Sequence, residues 1–139
     1  MRQSVSLVHG MAVLICLGPA PVDAHHGFQT EFDSRKPVTL DGVVTKIVWV
    51  NPHAWIHVKV GGPDGSETDW AVQAAAPEAL MRRGWRHDSL VPGMRVVIEG
   101  FQSRTGGTVA NGRDVSLPDG RTLCANIPCR SDLVGRRQR

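Results

Sequence analysis

PVTLDGVVTKIVWVNPHAWIHVKV, residues 37–60, contains two strands and the break between them. Residues 37–50 are rich in β-branched side chains, which fit a pleated surface, and carry one interior glycine, Gly42. A glycine inside such a run marks a bend or bulge, so one long strand bent near Gly42 is expected. Asn51-Pro52 stops the run, because proline fixes its φ and offers no N–H. Residues 54–60 then alternate, with Ala54, Ile56, Val58 and Val60 on one face and Trp55, His57 and Lys59 on the other. The apolar face should meet the core and the other should look outward.

Working outward, GGPDGS at 61–66 is a turn, and TDWAVQA at 68–74 reads as a third strand with Trp70 and Val72 on one side. Three strands in succession imply an antiparallel meander. The period changes at Pro77, where PEALMRRG places proline at a first helical position, Glu78 in the first turn and Gly84 as the stop. Val91-Pro92-Gly93 turns the chain into a fourth strand, MRVVIEGF at 94–101, and SRTGGT at 103–108 leads to a fifth, VANGRDVSL at 109–117, ending at Pro118-Asp119-Gly120. Three strands, a short helix and two strands match a small five-stranded Greek-key OB-like barrel, all-β with one helix. A small open β-sandwich is the alternative, and it requires the helix to be a loop. The barrel domain is expected over residues 37–123, after a flexible segment at 25–36 and before a basic tail at 124–139.

The chain has 139 residues, 41% hydrophobic and 21% charged, with 15 Gly and 9 Pro. This composition excludes a coiled coil, a collagen or a mainly disordered chain. A formal charge of +3 is too small to make nucleic acid the expected partner. Arg2, the apolar run Met11–Leu17 and a small-residue ending at Ala24 read as a secretory leader over residues 1–24. The run is too short to span a bilayer, which takes roughly 20 residues. Ile15 before Cys16 argues against lipidation. An exported product without a stable membrane anchor, in the periplasm of a Gram-negative bacterium, is therefore expected. Cys124 and Cys129 remain after cleavage. An even pair in an oxidising compartment reads as a local disulfide staple, with free or metal-ligating thiols as the alternative.

Several stretches also carry a resemblance: AHHGF at 24–28, EFD at 31–33, KPVTL at 36–40, VTKIVWVNPHAWI at 44–56, MRRGWRHDSLVPG at 81–93, VIEG at 97–100 and SLPDGRTL at 116–123. Together they resemble a family of small exported bacterial proteins known as a domain of unknown function. The matching positions include His25, His26, Asn51, Pro52, His53, Trp55, Gly84 and Trp85. The resemblance implies an exported β-barrel and supplies no activity. Gly27 stands where the family pattern has Ser, and the cysteine pair is not part of that pattern. In organisation alone, the chain is also similar to exported bacterial OB-fold proteins implicated in stress responses.

Cleavage after Ala24 makes His25 the first residue and His26 the second. A free α-amine beside two imidazoles is a nitrogen donor set that suits Cu(II), Ni(II) or Zn(II), with Cu(II) first in the usual affinity order. His53 borders the loop between strands one and two, a usual edge of an OB ligand site, and is the expected third donor. An extended linker from His26 to Val38 spans roughly 40 Å, enough to bring the terminus there. The plainer account is that the terminal pair is solvated and His53 makes a hydrogen bond within its turn. Trp55 and His57 on the outward face, beside Arg104, offer a platform for a sugar ring, a peptide or a protein. Trp49, Trp70 and Trp85 read as packing aromatics and His87 as a surface residue. No GxSxG, HExxH, P-loop or GxGxxG stretch occurs, and the carboxylates are scattered singly. The expectation is a non-enzymatic binding module holding copper, or a metal-free interaction domain for a small ligand or protein.

Overall fold

The computed structural model describes residues 27–130. The elements are α1 (Phe28–Glu31), β1 (Phe32–Val48), β2 (Trp55–Gly61), β3 (Glu67–Gln73), α2 (Pro77–Arg82), β4 (Arg95–Ser103), β5 (Val109–Ser116) and β6 (Thr122–Cys124). β1–β2–β3 is an antiparallel meander, β4 pairs antiparallel with β1 and β5 with β4, and β3 and β5 close the circuit by a parallel pairing. The fold is all-β with a short helix, one sheet whose ring runs β1-β2-β3-β5-β4 and back to β1. That is the connectivity expected of the OB-like arrangement, and the open sandwich is not formed.

β1 is long because it serves two neighbours. Its first half pairs with β4 and its second with β2, and Gly42 belongs to both pairings, opposite Val60 and Val96. A Cβ at Gly42 would lie 2.6 Å from the Lys59 carbonyl oxygen, so the switch of partner requires glycine. The register slips just beyond, between Val44 and Lys46. Alternation places Leu40, Val44, Ile56, Val58, Val72, Val96, Ile98 and Val115 inside the ring. Removing that apolar area from water is the main source of stability. α2 begins with Pro77 at its first turn and contributes Leu80 to the core. It stops at Gly84, φ +89°, where the Trp85 N–H donates to the Leu80 carbonyl at 3.1 Å and the Gly84 N–H to Met81 at 3.0 Å. This glycine-terminated ending folds Trp85 back against Leu80.

Two boundaries differ from those expected. Residues 28–36 are not a free segment: Phe28 packs on Phe32 and Phe101 at centroid distances of 6.0 and 5.7 Å, and that aromatic contact starts β1 five residues earlier than Pro37. At the other end, β6 continues the sheet along β5. β3 reaches along β5 only to Asn111, and β6 takes up Asp114–Ser116, so an edge that would stand open is covered. Residues 131–139 lie outside the described residues.

Candidate functional site

The outward strand face forms as its parity requires. Trp55 lies opposite Val48 and Gln73, and His57 opposite Lys46 and Ala71; both are half-buried. The exposed Arg104 does not complete this face. Its N–H donates to the Glu31 carbonyl at 2.9 Å and its Nε to the Gln29 carbonyl at 2.6 Å. It therefore backs onto the opening of β1, whereas Trp55 backs onto its end. Among the described residues no hydrogen bond, ion pair or ring contact joins Arg104 to Trp55 or His57.

His25 and His26 lie outside the described residues. His53 follows the cis Asn51–Pro52 bond, and its Nδ1 is buried with no hydrogen-bond partner, so the turn-stabilising bond is not made by that atom. Among the described residues no three His, Cys, Asp or Glu side chains gather as a metal site. Much of the reach assigned to a free 26–38 linker is taken up by α1 and the first residues of β1.

A different group of side chains does converge. Trp49, just after β1, meets Trp85, just after α2, at a centroid distance of 6.4 Å and an interplanar angle of 78°. His87 stands edge-on to Trp49 at 4.9 Å. Trp85 is buried, with its indole N–H donating to the Cys124 carbonyl at 2.9 Å. Around this cluster run two adjoining grooves that share His87 and Asp88. One, of ≈ 550 Å³, takes in Met81, Trp85 and Arg86; the other, of ≈ 480 Å³, takes in Ile47, Trp49, Val91 and Pro92. Met81 and Val91 remain 41% and 42% exposed. Arg86 and Asp88 face each other at 3.8 Å in solvent, an ion pair too exposed to be strong, and the exposed Lys46 also lines the second groove. Sequence reading took Trp49 and Trp85 as packing residues and His87 as surface; each description holds singly, but not the convergence. The available signal was that both tryptophans stand within three residues of an element's end.

A family profile described as Family of unknown function (DUF6152) matches residues 13–112. The chain belongs to that family. No curated protein and no solved structure matches it. The DUF6152 match contains every residue of the aromatic groove and of the Trp55 face, and it ends before the cysteine pair.

Beyond the DUF6152 match, Cys124 and Cys129 are joined by a disulfide. The enclosed segment is stitched to β5, to β3 and to the connection that follows β3. The Ala125 N–H donates to Arg113 at 2.8 Å, and the Ala125 carbonyl accepts from Ala75 at 3.0 Å. The Asn126 side-chain amide donates to the Gly112 carbonyl at 2.9 Å and the Gln73 carbonyl at 3.3 Å. Gln73 and Asn111, both buried, are themselves joined at 3.1 Å. Among the described residues of this DUF6152 chain no helix is long and apolar enough to cross a membrane.

Proposed function

We propose that the protein is an exported, non-enzymatic binding module that holds a protein or peptide partner in the groove walled by Trp49, Trp85 and His87. The observation that carries this reading is the convergence of three aromatic rings from two chain segments at a surface where Met81 and Val91 stay exposed. Aromatic side chains offer large contact area with few rotatable bonds, and apolar patches with polar rims are where partners dock. Export to a Gram-negative periplasm is supported by the leader-like order of residues 1–24 and by a cysteine pairing that oxidising compartments preserve. The test is site-specific photo-crosslinking in cells producing the protein with its own leader. A discrete adduct from Met81 or His87, and none from the exposed Thr68 on β3, supports the groove. Equal labelling from all three positions, or none, removes it.

A second reading is a Cu(II) site at the processed terminus, formed by His25 and His26 with His53 as the third donor. It is favoured by the unpartnered Nδ1 of His53 and by the donor set that cleavage after Ala24 would create. Calorimetric titration with Cu(II) tests it on protein whose leader has been cleaved naturally. His25→Ala is expected to abolish binding; unchanged affinity would eliminate the terminal site.

A further inference from the structure

Arg83 and Trp85 flank Gly84 on the connection from α2 to β4, and each donates a side-chain hydrogen bond to the stapled segment. The Arg83 guanidinium reaches the Ala125 carbonyl at 3.3 Å, and the Trp85 indole N–H reaches the Cys124 carbonyl at 2.9 Å. An indole has a single N–H, so the buried ring of Trp85 has its one polar contact on a disulfide cysteine. Trp49 packs on Trp85, and His87 on Trp49. The walls of the groove are thus fastened, through one hydrogen bond and two ring contacts, to residue 124. The β1–β2, β1–β4 and β4–β5 ladders do not involve the staple.

We infer that the Cys124–Cys129 disulfide is a redox latch on the aromatic groove, an inference that rests on the groove being the binding face. With the bond closed, residues 124–126 present fixed carbonyls to Arg83 and Trp85. With it open, the segment loses its covalent closure and can leave β5. Trp85 is then left with a buried, unpaired N–H, an unfavourable state that is relieved by moving the ring, and Trp49 and His87 lose their backing. The bond is opened by a dithiol reductant. Cys124 is 8% exposed and Cys129 0%, so attack falls on the Cys124 sulfur. A reductant sulfur bonds to it and the Cys129 thiolate leaves and is protonated. The reductant's second thiolate then displaces the Cys124 sulfur, which is protonated in turn. Two electrons and two protons pass to the protein, and the reductant departs as its own disulfide. In the reverse direction, an oxidising disulfide completes the groove after the chain has left a reducing compartment.

The test is peptide-resolved hydrogen exchange on the mature, oxidised chain, before and after millimolar dithiothreitol without denaturant. Exchange is expected to accelerate about tenfold or more in residues 83–90 and 122–130 together, while the strand amides shared by β1 and β4 keep their protection. The Cys124→Ser/Cys129→Ser chain should reproduce the reduced pattern. Trp85→Phe, which keeps a ring and removes the N–H, should loosen 83–90 with the disulfide intact. The latch is overturned if the bond stays closed in dithiothreitol, if 122–130 accelerates alone, if the whole chain loses protection together, or if Trp85→Phe leaves 83–90 unchanged. None of these readouts uses a partner. Their failure therefore leaves the groove's binding role standing, and a failed crosslink leaves the latch standing.

Discussion

β1 and β4 meet over seven consecutive residue pairs, from Pro37–Phe101 to Val43–Arg95, whereas β3 and β5 meet over three, from Ala71–Val109 to Gln73–Asn111. The long seam has a continuous backbone ladder. The short one is reinforced by side chains, with Gln73 bonded to Asn111, Asn126 bonded across both strands, and the stapled segment lying along the rest of β5. A ring closed by three pairs leaves polar backbone at its margin, and buried polar groups need partners. The C-terminal residues supply them. The difference teaches that this ring is robust along one side and adjustable along the other, and that the aromatic groove is tied to the adjustable side through Trp85.

The most damaging change to this arrangement should be Gly100→Ala. A Cβ there would sit 2.0 Å from the Asn111 carbonyl oxygen, a backbone atom that cannot turn aside, so β4 and β5 must separate. A loss of about 3 kcal/mol or more is expected from urea unfolding. A loss below about 1 kcal/mol would show that the long-seam strand tolerates displacement. Next comes the staple: Cys124→Ser/Cys129→Ser should cost about 2 kcal/mol, the lower part of the usual range because the closed loop is short. Asn126→Ala, which strips the amide donor from the short seam, should cost about 1–2 kcal/mol by the same measurement. If it costs nothing, the three backbone pairs hold the seam unaided.

The smallest effect should come from acid, and it falls on the outer end of the long seam. The Asp33 carboxylate takes side-chain hydrogen bonds from the Arg35 guanidinium and one from the Arg35 backbone N–H, which hold its pKa below the ordinary value of 3.8. A depressed carboxylate pKa stabilises the fold above that ordinary value, and the contribution is lost as pH falls through the lower, folded-state value. Unfolding midpoints should therefore drop slightly as pH is lowered through and below 3.8, and Asp33→Asn should flatten part of that slope. Asp64 and Asp119 are lowered in the same direction by hydrogen bonds from Ser66 and Arg121, so some slope should remain.

Much of the ring was legible along the chain. The β-branched run with Gly42, the alternation of residues 54–60, the turn signals and Pro77 through Gly84 each report a local constraint that the folded backbone obeys. The start of β1 was missed because it depends on Phe28, packed on Phe32, finding Phe101, a contact about seventy residues away that no local pattern encodes. β6 was missed because three residues are too few to show a period. On the outward face, strand parity placed Trp55 and His57 together, but the proposed association with Arg104 required knowing where the loop after β4 returns.

Local chemistry alone therefore determined the succession of the first five strands along the chain, the short helix, the cysteine pair available for a staple and the residues that look outward from β2, because each depends on neighbours within a few positions. Tertiary structure decided that Trp49, Trp85 and His87 share one surface, that Arg104 serves α1, and that Cys124 holds the groove's buried indole. Those contacts join segments separated by tens of residues. Their partners are chosen by how the ring closes, which no short stretch of the chain can specify by itself.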